Sequence, residues 1–406
     1  MAATASDTSA VDTDGCVGAP AVTGPEGVIA GSVPSPYRRL RGIRRDLGNR
    51  IAGRCPGRAP DGRPGGWGRT GWRLLVSTAV ADPDETTSYP DRTVSPPEEA
   101  VTFPGARRPD RHRRVTASGI ELHVCEWGDA SAPPLLLAHG GFDFTGTFDV
   151  FAPMLADAGW RVVSWDQRGH GDSDRAALYT WDADVRDAAA VLDTLGSDPL
   201  PFIGHSKGGA LMLHLANALP HRVSTMVNLD GLPSHQAMSD VSDTERTRLL
   251  REQLTGWLDF RRSLVGRQRR PGTIDELAER RGRMNPRMTH DWLRYLVTVG
   301  ARRDDDGWRW KIDPTMRMGG FGPWRPQWSM LRLPGIGVPF LGVLGLELEV
   351  MGWGTTPADV IPNLPPGGRL EALEGVGHFV HIEQPRLVAD LVLEHLTAGA
   401  PAGGWS

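Results

Sequence analysis

Ser206 stands in the pentapeptide Gly204-His205-Ser206-Lys207-Gly208, inside the stretch PFIGHSKGGALMLHLA from Pro201 to Ala216. A serine hydroxyl is a poor nucleophile until a base takes its proton in the transition state. A histidine in that role needs an acid at its other ring nitrogen to fix its tautomer and stabilise the imidazolium. One serine in this setting therefore asks for two partners elsewhere in the chain. Pro201 to Ile203 read as the end of a short buried strand. From Ala210 onward, Leu211, Leu213, Leu215 and the alanines read as a mostly buried helix. The five residues must then make the whole strand-to-helix turn. So tight a turn strains its central residue, and glycines two before and two after admit the close approach of neighbouring chain. The serine is lifted clear of the sheet edge above a helix N-terminus, the G-x-S-x-G arrangement of an exposed nucleophile.

The surrounding elements alternate. RRVTASGIELHVCEWGD reads as two strands around a Ser118-Gly119 turn. PPLLLAHGG follows as a short strand buried on both faces, FDVFAPMLADAGW as a helix ending at Gly159, and RVVSWD as a further strand. Thr180 fits the N-cap of the next helix, with Asp182 and Asp184 in or beside its first turn, where the helix dipole favours negative charge. That helix runs to Leu195-Gly196, and the serine's strand and helix come next, then VSTMVNLDG. Unbroken alternation of this kind means a mostly parallel sheet with helices on both faces. From about Ser234 to Pro334 the chain turns helical, charged and aromatic, with no obvious strand. An insertion of about a hundred residues is too long for a loop and is expected to form a helical cap over the sheet. The pattern resumes at VPFLGVLGLELEV and RLEALEGVGHFV and closes on the helix QPRLVADLVLEHL.

Residues 108–397 resemble the α/β-hydrolases with a helical lid, a large group of serine esterases, lipases and lactonases. Four motifs in the family's order carry the resemblance: LLLAHGG, DQRGHGDS from Asp166 to Ser173, GHSKG, and EGVGHFVHIEQP. It implies the α/β-hydrolase fold, with Ser206 as nucleophile and His378 as its base on a tight loop made by Gly375 and Gly377. His381, where the closing helix begins, reads as structural. The resemblance further implies an oxyanion hole from the backbone N–H groups of Gly141 and Lys207, with His139 bracing the loop by hydrogen bonds. The loop from Asp166 to Ser173 is a structural brace in the family, and no P-loop lysine follows its glycines. The acid departs from the family's pattern. Relatives carry an aspartate three residues after the glycine closing the seventh strand; here that glycine is Gly345 and position 348 is leucine. Glu347 keeps the acid-x-x-Val spacing to Val350, and a glutamate is longer by a methylene, so Glu347 is the expected acid. Glu349 and Asp230, the latter at the end of the sixth strand in NLDG, stay open.

The remaining sequence bounds what else the chain does. A net charge of -4 and a pI near 6.3 give no global pull toward nucleic acid or an anionic membrane. No run approaches the roughly 18–20 apolar residues of a membrane span. The first thirty residues lack the basic start and apolar core of a secretory signal. Cys16, Cys55 and Cys125 are odd in number and without metal-ligand spacing, which fits a reducing cytoplasm and no metal; no cofactor is implied. Residues 1–107 are rich in small residues, proline and arginine, and are expected to be disordered for want of apolar surface. Residues 398–406 read as a tail. Only Lys207 and Lys311 among the 45 basic residues are lysine. Half of the 14 tryptophans lie in or beside the insertion, where they line an apolar acyl or ring pocket or hold the cap together. The expected activity is that of a cytoplasmic serine hydrolase cleaving an ester, lactone or similar acyl bond of a small, largely apolar substrate through an acyl-enzyme. Carbon–carbon bond hydrolases and cofactor-free haloperoxidases keep the same triad. A lid-covered ligand-binding homologue with a decayed triad is the alternative from another class.

Overall fold

The computed structural model describes residues 101–233, 243–264, 266–316 and 326–398. The sequence before residue 101 and the tail after residue 398 lie outside them. Strands β1 (Arg111–Ala117) and β2 (Ile120–Trp127) form the expected hairpin. Ser118 at φ 53° and Gly119 at φ 84° make its two-residue turn, the doubly left-handed form that matches strand twist. Next come β3 (Pro134–Ala138), α1 (Phe151–Asp157), β4 (Arg161–Trp165), α2 (Trp181–Asp193), β5 (Leu200–His205), α3 (Lys207–Ala218) and β6 (Val223–Leu229). The Thr180 hydroxyl caps α2 by accepting from the Ala183 amide at 3.3 Å.

The insertion holds α4 (Asp243–Ser263), α5 (Ile274–Gly282), α6 (His290–Gly300), β7 (Ala301–Asp304), β8 (Gly307–Trp310) and α7 (Pro326–Arg332). The β7–β8 hairpin corrects the expectation of a strandless insertion. Its outer face is charged, with Arg302 and Arg309 both pairing with Asp304, while Ala301, Trp308 and Trp310 pack inward. The dipeptide Asp306-Gly307 is the turn signal that periodicity alone misses. After it come β9 (Phe340–Gly345), α8 (Pro357–Val360), β10 (Arg369–Leu373), α9 (Val380–Glu383) and α10 (Pro385–Ala398).

Eight strands form one sheet in the order β1-β2-β4-β3-β5-β6-β9-β10. Strand β2 is antiparallel to β1 and β4, and every other pair is parallel. Strand periodicity splits the core in two. Leu136, Ala138 and Phe202 pack with α2 and α3 on one face, while Leu135, Leu137 and Ile203 pack with α1 and α10 on the other. A third cluster joins α5 and α6, through Leu277, Trp292 and Leu296, to Phe144 after β3 and to Phe379 beside His378. Trp292 and Trp308 are buried there, so these two tryptophans hold the insertion together.

The boundary expected after residue 107 lies further upstream. Val101, Phe103 and Ala106 pack against the third cluster, with the Phe103 ring edge-on to Trp292 at 4.8 Å. The Arg107 amide donates to the Asp149 carbonyl at 2.7 Å, and its own carbonyl accepts from the Trp127 indole at 3.0 Å. Short-range patterning misses this segment because it packs on helix α6, nearly two hundred residues away.

His381 is buried as expected, with Phe148, Phe151 and His205 at ring distances of 5.0, 6.0 and 4.4 Å. Neither ring nitrogen has a hydrogen-bond partner among the described residues. Burial first, and the charge of His378 second, push its pKa down to about 3.

Two outcomes follow. A chain starting at residue 108 should melt a few degrees below one starting at residue 100, since losing the partly buried Phe103 alone costs roughly 2 kcal/mol; equal melting temperatures would show that the segment adds nothing. The unfolded chain protonates His381 below about pH 6.5, whereas the fold does so only near pH 3, so stability is lost as pH falls through that window. At pH 5 this group costs about 2 kcal/mol. His381→Leu should therefore shrink the drop in Tm between pH 8 and pH 5, and an unchanged drop would assign the acid sensitivity to other groups.

Candidate active site

Ser206 sits between β5 and α3 at φ 52°, ψ -122°, a backbone conformation that a residue with a side chain rarely adopts. The flanking glycines explain how. A methyl group on Gly204 would lie 2.4 Å from the Gly208 carbonyl oxygen, and one on Gly208 would lie 2.3 Å from that of Ala138. Neither position admits a side chain. The Ser206 amide donates to the Leu229 carbonyl at the end of β6, at 3.0 Å, which ties the turn to the next strand.

His378 follows β10 on the expected loop, with 2% of its surface exposed. Its backbone is held on three sides. The Gly377 amide donates to Glu383 at 3.0 Å, the His378 amide to Glu349 at 2.7 Å, and the His378 carbonyl accepts from the His205 ring at 2.9 Å. The carboxylate at its ring is Asp230, not Glu347: His378 Nδ1 lies 2.5 Å from Asp230 Oδ2. Asp230 directly follows β6 at φ 48°, a left-handed conformation that aspartate tolerates better than most residues. Its amide donates to the Val343 carbonyl at 2.8 Å, and its Oδ1 accepts from the Gly345 amide at 3.2 Å. Gly345 in turn lets the histidine loop approach, since a methyl group there would meet the Gly377 carbonyl oxygen at 1.9 Å.

The sheet ends at Gly345, and this moves the glutamates away. Glu347 is exposed, and its amide donates to the Val376 carbonyl at 2.9 Å. Glu349 reaches the backbone of His378 rather than its ring, and burial raises its carboxyl pKa against the effect of that hydrogen bond. The sequence signal for Asp230 is an Asp-Gly pair directly after the strand neighbouring the serine's own.

The His139-Gly140-Gly141 loop lies against the serine turn. A methyl group on Gly140 would be 3.2 Å from the Ser206 Cβ, and one on Gly141 3.6 Å from the Lys207 side chain. His139 braces the loop as expected. Its Nε2 accepts from the Gln167 amide at 2.9 Å, so Nδ1 carries the hydrogen and donates to the Gly140 carbonyl at 2.7 Å. Burial holds its pKa near 4, below the ordinary imidazole value, and keeps the ring neutral. His170 acts alike, accepting the Phe142 amide at 3.1 Å through Nε2. From the insertion, Arg281 donates to the Phe142 carbonyl at 2.7 Å and pairs with Asp143 at 3.3 Å.

Sequence reasoning misses the role of the Lys207 side chain. Its ammonium is buried, donating to Gln167 Oε1 at 2.5 Å and pairing with Asp184 at 2.7 Å. Arg168 meets Asp187 next to it through two bonds, at 2.6 and 2.7 Å. The Asp166–Ser173 loop is thus tied to α2, as a brace should be, and Asp184 serves an ion pair rather than only the helix dipole. Among the described residues, His, Cys and carboxylate groups close enough to share a metal ion lie on the β1–β2 hairpin and the adjoining Asp166–Ser173 loop, not at Ser206. Chemically, the site offers a hydroxyl on a strained turn and a buried imidazole whose Nδ1 is taken by a carboxylate. Its Nε2 remains to receive a proton.

Residues 133–284 match the family described as the alpha/beta hydrolase fold. A protein of Bacillus subtilis provisionally named 2-succinyl-6-hydroxy-2,4-cyclohexadiene-1-carboxylate synthase is 26% identical over 290 residues, 70% of this chain and 97% of that one. Lipase LipV of Mycobacterium tuberculosis is 38% identical over 111 residues, 27% of this chain and 42% of that one. Among solved structures, a thioesterase domain from the curacin biosynthetic pathway superposes with a TM-score of 0.59 at 23% identity, covering 70% of this chain and 99% of that domain. That likeness speaks for the fold alone. With the eight-stranded sheet, its strand order and the serine turn after β5, the family match and the relatives in sequence show that the chain belongs to the α/β-hydrolase superfamily.

Proposed function

We propose that this hydrolase cleaves an ester, lactone or similar acyl bond of a small, largely apolar substrate, with Ser206, His378 and Asp230 as its triad. The observation that carries the reading is the 2.5 Å contact between His378 Nδ1 and Asp230 Oδ2 beside a serine held at φ 52°. Asp230 takes the role that the sequence assigned to Glu347. Ser206 Oγ attacks the acyl carbon while His378 Nε2 takes its proton, and Asp230 fixes the tautomer and stabilises the imidazolium. The amides of Gly141 and Lys207 receive the oxyanion, each contributing roughly 3 kcal/mol to lowering the barrier. Collapse of that intermediate passes the proton to the leaving oxygen. Water then attacks the acyl-enzyme by the same route in reverse and frees Ser206. The Lys207–Gln167–His139 chain supports this role, because it ties the two amide-bearing segments together.

The relatives' names span a synthase, a lipase and a thioesterase, so the acyl group is best found with p-nitrophenyl esters of graded chain length. On an accepted ester, Ser206→Ala should abolish turnover and fluorophosphonate labelling while circular dichroism stays unchanged. Strong labelling of Ser206→Ala would defeat the assignment, and an unlabelled wild type would favour a ligand-binding protein.

The acid is tested separately. Asp230→Asn should lower kcat by orders of magnitude, though less than Ser206→Ala, because serine and histidine still meet. Glu349→Gln, which weakens only the hold on the His378 amide, should cost less than about tenfold, or roughly 1.4 kcal/mol. Glu347→Gln should stay within about twofold of wild type, or roughly 0.4 kcal/mol. A large loss in Glu347→Gln with a mild one in Asp230→Asn would return the role to the glutamate.

A further inference from the structure

One short turn of the insertion lies against both loops of the serine site. Helix α5 ends at Gly282 and α6 begins at His290. Between them the chain folds back on itself. The Met284 and Asn285 amides donate to the Arg281 carbonyl at 3.0 and 3.1 Å, and the Asn285 and Met288 side chains are buried. The turn is therefore stiff, with Arg281 at its start and Arg287 near its end.

Arg281 reaches the loop that follows β3. Phe142, next to Gly141, stands at φ 59°, a left-handed conformation that a bulky residue adopts only where its surroundings fix it. Its amide is taken by the His170 ring, and its carbonyl accepts from Arg281 Nη1 at 2.7 Å. Arg281 Nη2 pairs with Asp143 at 3.3 Å, with 11% of the arginine side chain and 1% of the aspartate's exposed. A planar guanidinium held at two points fixes direction as well as distance.

Arg287 does the same for the loop before His378. Its Nη2 donates to the carbonyl of Gly375, itself left-handed at φ 71°, and its Nε donates to Glu383 at 2.7 Å. The other Glu383 oxygen accepts from the Gly377 amide at 3.0 Å. A methyl group on Gly377 would lie 2.6 Å from Arg287 Cδ, so the arginine stem rests on the residue before the histidine.

We propose that Arg281 and Arg287 are positioning residues, through which the α5–α6 turn sets the oxyanion loop and the histidine loop in register with each other. What the two loops do rests on the acyl-transfer reading; that the turn holds them does not. The rate of the chemical step, rather than affinity for substrate, then depends on the two guanidinium groups.

Two measurements on the full-length protein test this. On an ester that the wild type accepts, Arg281→Ala and Arg287→Ala should each lower kcat by about tenfold or more while KM stays within about threefold, because the loops act on the transition state. Arg281→Lys, which keeps the charge and one contact, should fall between. Arg283→Ala, at an exposed arginine on the same turn, should match wild type. Amide hydrogen exchange supplies a readout that needs no substrate. Arg281→Ala should speed exchange in residues 139–144 and Arg287→Ala in residues 375–379, each without change at the other loop. Unchanged kcat in both alanine variants, or exchange that rises evenly over the whole chain, would overturn the proposal. A wild type that no fluorophosphonate labels would defeat the acyl-transfer reading instead, and the loop-specific exchange would then decide whether the turn holds the loops.

Discussion

Ser206 holds φ 52°, ψ -122° only because the chain on both sides of it has nowhere else to go. Such a conformation costs on the order of 1–3 kcal/mol and persists when its surroundings over-determine it. Here β5 is fixed between β3 and β6, α3 is sealed in the core, and the Gly204–Gly208 contact closes the turn between them. The Leu229 carbonyl then accepts the Ser206 amide, so the position of the hydroxyl is set by β6 as well as by its own strand. Asp230 is the next residue of β6. Serine and acid are therefore placed by one register, and a slip of one residue between β5 and β6 would separate them.

Beneath the turn lies a buried polar layer that apolar packing could not supply. Lys207, Gln167, Asp184, Arg168 and Asp187 interlock with His139 and His170, and all seven are under a tenth exposed. Taking these groups out of water is costly unless each charge is paired and hydrogen-bonded. The return is directional. Apolar contacts would let the His139–Phe142 loop slide, whereas the bonds from the Gln167 amide to His139 and from the Phe142 amide to His170 hold it in place. One of only two lysines in the chain is spent on this layer, and its length lets the ammonium reach Gln167 and Asp184 together.

The sequence is most legible where local chemistry permits one conformation. The G-x-S-x-G turn, the Ser118-Gly119 hairpin and the Thr180 cap follow from residue types within a few positions of each other, and all three stand in the fold. His378 is legible for the same reason, through the glycines before it. The acid is harder because it is defined by distance in space. Counting from Gly345 reaches Glu347 only if β9 continues, but the chain leaves the sheet there and Leu348 is 84% exposed. Asp230 is 148 residues from His378, and only the neighbouring of β6 and β9 brings them together. Cys125 shows the same limit: linear spacing gives it no partner, and the hairpin register gives it His112.

Asp166 connects the β1–β2 hairpin to the loops around the serine. At the end of β4, its Oδ1 accepts from the Thr145 amide and its Oδ2 from the Asp172 amide and the His123 ring. One residue on, the Gln167 amide and side chain fix His139 and Lys207. A carboxylate with this many donors cannot shift toward one without loosening its hold on the others. The corner after β4 therefore stays rigid only while the His123 side chain keeps its orientation. The hairpin and the serine loop thus depend on a common backbone corner.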